Sequence, residues 1–130
     1  MVEGTGARGK TTTAYAIAHG LGEGGIQSRG VPLPPGRSRL PTGPGILHTS
    51  RGTFRCPEGT LLWRRSITPA SVVPAAEEAV RVGGWLVAEE SLGVSGAGDV
   101  AVLTSGEDYP IAAGKRSALA AKEESMRDAP

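Results

Sequence analysis

The sequence predicts an α/β domain of the three-layer, phosphate-loop type, with a mostly parallel sheet. First, short apolar runs of strand length alternate with stretches of helical periodicity. Second, Gly4 to Thr11 fits the phosphate-binding template G-x-x-x-x-G-K-[ST], and a helical pattern follows it directly. Third, two apolar runs in the second half end in polar residues, at the edge where open α/β sheets place ligands.

The elements of the first half surround the phosphate-binding template. Only Val2 and Glu3 precede it as strand residues, so we predict a sheet truncated at its first strand, with open edges on the neighbouring strands. Apolar residues at helical spacing predict a helix over 11–21, ended by the glycines near its C-terminus. The Gly-, Pro- and Arg-rich stretch over 22–45 predicts a long mobile loop.

The elements of the second half follow from apolar runs and helix signals. Thr68 before Pro69 has the form of an N-cap with proline at the first helical position, although Pro74 leaves a later start open. A turn containing glycine and proline is expected between the first two strands. The predicted strands are 45–49, 60–64, 85–89 and 99–104, and the predicted helices are 68–82 and 112–126.

Length and composition limit the classes of function. A chain of 130 residues has the size of one ordinary domain or part of one. The net charge of +1 creates no field that favours nucleic acid or an anionic membrane as a partner. A single cysteine, Cys56, forms no internal disulfide, and no run resembles a signal peptide or a membrane span. We therefore expect a cytoplasmic protein.

The phosphate-loop template carries the strongest chemical signal. Its glycines permit close approach of the backbone to a ligand, the following helix N-terminus favours anions, and Lys10 adds a positive charge. Thr11 offers its hydroxyl to Mg²⁺, whereas Thr12 and Thr13 read as residues of the first helical turn. The alternative is a Gly-rich turn with an exposed lysine.

Carboxylates near the ends of the predicted strands are candidate metal ligands. Magnesium binds through few carboxylates together with waters and phosphates, so either Glu89 or Glu90 could complete a Mg-ATP site. Strand residues alternate in direction, which allows only one of the two to point at the site. Asp108 is placed with Glu107 on the ligand-side loop, and Asp99 reads as a residue of the strand start.

The remaining reactive residues give weaker signals. His19 and His48 have no neighbours at a zinc-like spacing, and Cys56 has no partner that would make it a nucleophile. The arginines between Arg29 and Arg65 could bind carboxylates, but most read as solvated loop charges.

Several segments together resemble the central ATPase domain of the Mur ligase superfamily. They are TGARGKTTTA, LHTSRGTF, SITPAS, VAEESLG and DVAVLTSGEDYPIAAGKRSALAAK. The superfamily signature T-G-x-x-G-K-T-[ST] is matched from Thr5 to Thr12. Within the superfamily, HTSRG, SITPA and ESLG make the chain most similar to the Mur-like ligases that build coenzyme F(430), the nickel tetrapyrrole of methanogens.

The resemblance implies a three-domain enzyme, in which residues 1–130 are part of the central domain and the N- and C-terminal domains are absent from this chain. It implies ligase chemistry in which ATP phosphorylates a substrate carboxylate to an acyl phosphate, which a nucleophile then attacks. The implied cofactors are ATP and Mg²⁺. The implied substrate is a nickel tetrapyrrole seco-acid whose ring is closed, and neither nucleic acid nor a membrane is expected as a partner.

The resemblance also assigns roles to individual residues. Lys10 would hold the β- and γ-phosphates, Thr11 would bind Mg²⁺, and Glu89 matches the family's metal-binding glutamate. Lys122 matches the lysine that many Mur ligases carbamylate to bridge a second magnesium, the alternative being an exposed helix lysine. The catalytic set is Lys10, Glu89 and Lys122, and the metal set is Thr11, Glu89 and Lys122. The nucleotide-binding set is Thr5, Gly6, Ala7, Arg8, Gly9, Lys10, Thr11 and Thr12.

The chain departs from the family pattern at three positions. Glu90 stands where an apolar residue is usual, which leaves the choice between Glu89 and Glu90 open. Tyr109 stands where cell-wall ligases often carry histidine, which favours the tetrapyrrole branch, and Gly4 replaces a β-former before the loop. Two other classes stay open: a Mur-type amide ligase of the folylpolyglutamate or peptidoglycan kind, and a non-catalytic remnant that folds poorly.

Overall fold

The computed structural model describes residues 1–27 and 43–127, with the side chains of 23–27 left aside. Eight strands and three helices occur in these ranges. In chain order they are β1 (Val2–Thr5), α1 (Lys10–Gln27), β2 (Gly45–Thr49), β3 (Gly52–Cys56), β4 (Thr60–Trp63), α2 (Pro69–Arg81), β5 (Trp85–Glu89), β6 (Val100–Leu103), β7 (Pro110–Ile111), β8 (Arg116–Ser117) and α3 (Ala118–Arg127).

A six-stranded mixed sheet forms the centre of the domain, in the order β4-β3-β2-β5-β1-β6. The pairs β2–β5, β5–β1 and β1–β6 are parallel, whereas β3 and β4 extend the sheet as antiparallel strands. The predicted α/β class is therefore confirmed, with its parallel strands at the centre. Because β1, β2 and β5 run in one direction, their carboxyl ends meet at one edge of the sheet.

The two long helices pack on opposite faces of the sheet. All residues of β2 and β5 are buried, and successive residues face opposite sides. Leu47 and Val87 belong to the cluster that packs against α1, while Ile46 and Leu86 belong to the cluster that packs against α2. The continuous apolar runs of both strands follow from this burial on both faces.

The predicted loss of pairing partners beside the first strand is wrong. β1 forms over Val2–Thr5 and pairs on both sides, with Val2 opposite Val87 in β5 and Val100 in β6. Weak β-formers such as Gly4 join the strand because both neighbours supply ladder partners, and tertiary pairing outweighs intrinsic propensity. The loop over residues 6–9 thus has a paired strand before it.

The first helix is longer than predicted. It was expected to end near Leu21, but α1 continues to Gln27 and carries Gly20 and Gly22 in its interior. Neither glycine adopts a positive φ, the conformation through which a glycine usually ends a helix. Of the loop predicted over 22–45, residues 28–42 lie outside the described residues.

The second helix begins where Thr68 and Pro69 predict it. α2 spans Pro69–Arg81, with Thr68 in an extended conformation and without a side-chain cap hydrogen bond. Pro74 lies inside the helix, so the alternative of a start at Pro74 is wrong. Val72, Ala75 and Ala79 pack into the core because they share one helical face.

Two hairpins form where the sequence predicts a turn and the start of a helix. β3 occupies the segment expected to be a turn, and it pairs with β2 along its length. The helix expected from residue 112 begins only at Ala118, because Ala112 and Ala113 have φ values of 51° and 56°, outside the right-handed helical region. The short β7–β8 hairpin forms there instead.

Candidate functional site

The phosphate-binding template lies in the strand–loop–helix arrangement that it requires. Residues 6–9 connect β1 to the N-terminus of α1, which begins at Lys10. Gly6 has a φ of 140°, and a Cβ atom at this position would lie 2.4 Å from Thr104 Oγ1. Gly9 has a φ of 80°. Both positions favour glycine, which explains the spacing of the motif.

Thr104, at the end of β6, fixes the shape of this loop. Its hydroxyl oxygen lies 2.6 Å from the Arg8 carbonyl oxygen and 3.0 Å from that of Thr5, and its N–H donates to Thr5 O at 2.8 Å. Sequence analysis gave Thr104 no role at the loop. The signal that could have found it is its place at the carboxyl end of a strand beside β1.

Lys10 and Arg8 make different contacts. Lys10 Nζ donates to the Gly6 carbonyl oxygen at 3.0 Å, which holds the ammonium group against the loop. Arg8 points away from the chain's core and pairs with Glu107 at 3.0 Å, with both side chains largely exposed. Thr12 is also exposed. The loop therefore presents one cation held at its backbone and one at its outer rim.

An oxygen-rich cluster lies at the C-terminal edge of the sheet, beside the first turn of α1. Thr11 Oγ1 donates to Glu89 Oε2 at 2.8 Å. Ser50, in the β2–β3 turn, donates to the same carboxylate oxygen through its N–H at 3.1 Å and its hydroxyl at 3.2 Å. The structure therefore brings together Thr11 and Glu89, as predicted. It adds Ser50, a residue of the LHTSRGTF segment for which the sequence predicted no role.

Glu90 occupies a different environment from Glu89. It is fully buried, and its side chain approaches Glu3 of β1, which is also fully buried. Glu3 accepts hydrogen bonds from the N–H groups of Ser95 and Gly98 at 2.9 and 3.0 Å. Burial, with the neighbouring Glu3, raises the pKa of Glu90 to about 8. Of the two adjacent glutamates, Glu89 is therefore the one that contacts Thr11.

Lys122 is buried rather than exposed, so the alternative of an exposed helix lysine is wrong. Lys122 is 1% exposed, and its Nζ donates to the Tyr109 hydroxyl at 2.9 Å. The ammonium group also lies 4.5 Å from the centre of the Tyr109 ring. Among the described residues, no hydrogen bond joins Lys122 to Glu89 or Thr11. The structure thus pairs Lys122 with Tyr109 and does not bring it to the Thr11–Glu89 cluster.

The other predicted acidic and histidine positions have structural partners. Asp108 follows the carboxyl end of β6 next to Glu107, and it caps α3 by accepting hydrogen bonds from Ser117 Oγ and the Leu119 N–H. Asp99 pairs with the chain's amino terminus. His48 is buried between Thr53 and Ser71, and burial lowers its pKa, which keeps the ring neutral at pH 7.

Arg51, Arg55 and Arg65 contact aromatic rings or a carboxylate of the chain. Arg51 lies over the Tyr15 ring at 6.0 Å and Arg65 over the Trp63 ring at 5.8 Å. Arg55 pairs with Glu78 at 2.7 Å. Arg29, Arg37 and Arg39 lie outside the described residues.

The residues present fit a magnesium–phosphate group. The cluster offers two hydroxyls and one carboxylate, the hard oxygen donors that Mg²⁺ takes beside waters and phosphates. Within residues 1–27 and 43–127, no group of three or more His, Cys, Asp or Glu side chains could hold a metal by itself. A metal at this cluster would therefore need oxygens from a bound phosphate or water.

Comparison of the chain with models of protein families, with curated proteins and with solved structures finds no match. Among the helices described here, none has the length and apolar character needed to cross a membrane.

Proposed function

We propose that this chain is an ATP-binding unit of a Mur-like, ATP-dependent ligase. The observation that supports this most directly is the contact between Thr11, the last residue of the phosphate-loop template, and Glu89, at 2.8 Å. A hydroxyl paired with a carboxylate beside a helix N-terminus and a loop lysine is the arrangement expected for binding Mg-ATP. The cytoplasm, where ATP is available, is its proposed location.

The proposed chemistry assigns a task to each part of the site. The N–H groups of the loop and of the α1 N-terminus would donate hydrogen bonds to phosphate oxygens, because both carry partial positive charge. Lys10, now bonded to Gly6 O, would move its ammonium group to the transferring phosphoryl group and neutralise charge there. Thr11 and Glu89 would hold Mg²⁺, which, when bound, supplies further neutralisation of that charge.

The acceptor of the phosphoryl group is proposed from the resemblance alone. A substrate carboxylate would attack the γ-phosphorus, and the bond to ADP would break. A nucleophile would then attack the carbonyl carbon of the acyl phosphate, and inorganic phosphate would leave. The particular enzyme that we propose is coenzyme F(430) synthase, for which the substrate is a nickel tetrapyrrole seco-acid. A complete ligase would also need the proposed flanking domains for its activity.

Lys122 has a separate place in this proposal. The resemblance assigns a carbamate to Lys122, which is buried and donates from Nζ to the Tyr109 hydroxyl. We propose carbamylation of Lys122 as a step that follows a movement of α3 or the β7–β8 hairpin toward Glu89.

Calorimetric titration of the chain with Mg-ATP tests the nucleotide site. We expect binding that requires Mg²⁺ and that weakens about 10- to 100-fold in Lys10→Ala, since a charge-assisted contact contributes about 1.5–3 kcal/mol. Thr11→Ala should weaken binding only when Mg²⁺ is present. Thr13→Ala, a change in the same helix at a residue whose N–H donates to the Gly9 carbonyl oxygen, is the matched control. Equal affinity in all variants would refute the nucleotide site.

Phosphate release in the presence of candidate acids tests the ligase. The chain is assayed with a nickel tetrapyrrole seco-acid, with a folate plus glutamate, and with a peptidoglycan precursor plus an amino acid. Substrate-dependent release with the first alone would support coenzyme F(430) synthase, and release with another would favour an amide ligase. Mg-ATP binding without turnover of any acid, also after addition of the flanking domains, would favour a non-catalytic remnant.

A further inference from the structure

We propose that Ser50 is a positioning residue, which holds one oxygen of the Glu89 carboxylate so that the other oxygen faces a divalent cation. The inference rests on the proposed nucleotide site and adds a residue to it. Ser50 follows β2, whereas Glu89 ends β5 and Thr11 lies in the first turn of α1, so three separate segments build the cluster.

All the donors at Glu89 converge on one atom. Oε2 accepts from Thr11 Oγ1 at 2.8 Å, from the Ser50 N–H at 3.1 Å and from Ser50 Oγ at 3.2 Å. Among the described residues, Oε1 accepts no hydrogen bond. A carboxylate held in this manner has one oxygen fixed by protein donors and one oxygen with its lone pairs free for a cation.

The protons in the cluster also favour cation binding. Ser50 Oγ lies 3.3 Å from Thr11 Oγ1, and each hydroxyl has a single proton to donate. If both protons go to Glu89 Oε2, the lone pairs of Thr11 Oγ1 remain available. With this arrangement two oxygens, Glu89 Oε1 and Thr11 Oγ1, have lone pairs that can coordinate a metal ion.

The surroundings of Glu89 suit a divalent cation. Glu89 is 3% exposed, and no ion pair joins it to a Lys, Arg or His side chain within the described residues. Hydroxyl and amide donors orient the carboxylate without supplying a positive charge. A buried charge is costly without a counter-charge, so the site is suited to a cation brought by a ligand.

The β2–β3 turn holds Ser50 in position from both strands. Thr49 pairs with Gly52 across the hairpin, which leaves Ser50 and Arg51 as its two-residue loop. Within that loop the Arg51 N–H donates to Thr49 Oγ1 at 3.2 Å, and Thr49 Oγ1 lies 3.3 Å from Gly52 O. The Ser50 N–H is therefore directed by the hairpin backbone, and its hydroxyl is the part that a substitution can remove.

The test measures Mn²⁺ binding to the full chain by electron paramagnetic resonance, with ATP, with ADP and without nucleotide. In Ser50→Ala we expect about a 10-fold loss of Mn²⁺ affinity in the presence of ATP, the lower end of what partners of metal ligands contribute. Nucleotide affinity without metal should not change. Ser50→Thr, which keeps the hydroxyl and the N–H, should restore Mn²⁺ affinity, and Ser66→Ala serves as the control at another serine.

Thermal unfolding of each variant separates a metal effect from loss of structure. The Ser50→Ala loss of affinity should occur in a chain that melts cooperatively, and Ser50→Thr should recover it. If the wild type binds Mn²⁺ and Ser50→Ala binds it with equal affinity, the role of Ser50 is overturned and the nucleotide site is not. The same holds if Ser50→Ala loses affinity and Ser50→Thr does not recover it. Absence of any Mn²⁺ or nucleotide binding by the folded wild-type chain would overturn both.

Discussion

Replacing Glu90 by glutamine should stabilise the protein at neutral and alkaline pH. Glu90 and Glu3 are both fully buried, and two carboxylates cannot donate hydrogen bonds to each other. Without a proton, the two side-chain oxygens of Glu90 have no hydrogen-bond partner. A proton on Glu90, or the amide of a glutamine at the same position, supplies the donor that Glu3 accepts.

The direction of the pH dependence follows from the pKa of Glu90. Burial, with the adjacent Glu3, raises this pKa from 4.5 to about 8, so between these values the folded chain binds more protons than the unfolded chain. The contribution of Glu90 to the free energy of unfolding is therefore largest below pH 4.5 and declines as the pH rises to about 8. Glutamine does not titrate, and the variant should lack this decline.

The size of the effect follows from the same shift. Each pH unit between 4.5 and the working pH costs about 1.4 kcal/mol. Glu90→Gln should thus exceed the wild type by about 3 kcal/mol at pH 7, and the two should converge near pH 4.5. For a chain of this length, that difference corresponds to a rise of about 10 °C in Tm.

Urea unfolding followed by the fluorescence of the buried Trp85 measures the difference at pH 5, 7 and 8.5. Glu77→Gln, the same chemical change at an exposed residue of α2, is the matched control and should leave the pH dependence unchanged. Parallel stability curves for Glu90→Gln and the wild type across this range would refute a proton shared between Glu90 and Glu3. So would a variant that is less stable at pH 8.5.

Three other predictions concern stability. Hydrogen bonds and charges of Arg81 and Arg55 lower the pKa of Glu78 to about 2, so its contribution to stability is lost as the pH falls from 4.5 to about 2. In Glu78→Gln the free energy of unfolding should depend less on pH in that range. Ala113→Gly should raise the free energy of unfolding by about 1 kcal/mol, because Ala113 holds a φ of 56°; urea unfolding that shows a lower value would contradict this. Ile46→Ala should cost about 2–5 kcal/mol by calorimetry, since Ile46 is fully buried under α2, and a change below about 1 kcal/mol would contradict the packing.

Local patterns in the sequence determined much of the architecture. Continuous apolar runs identified β2 and β5 because strands covered on both faces need apolar residues throughout. Thr68 and Pro69 identified the start of α2, and the glycine spacing identified the loop before α1. In each case the residues that determine the conformation are close together in the chain.

Contacts between distant residues decided the remainder. β1 forms because β5 and β6 pair with it, although the sequence before the loop contains little that favours a strand. The choice between Glu89 and Glu90 depends on which side of the sheet each side chain faces, and a shift of one residue reverses that direction. Likewise, Ser50 reaches Glu89 and Thr104 reaches the loop only after separate strands align, so no spacing along the chain encodes these contacts.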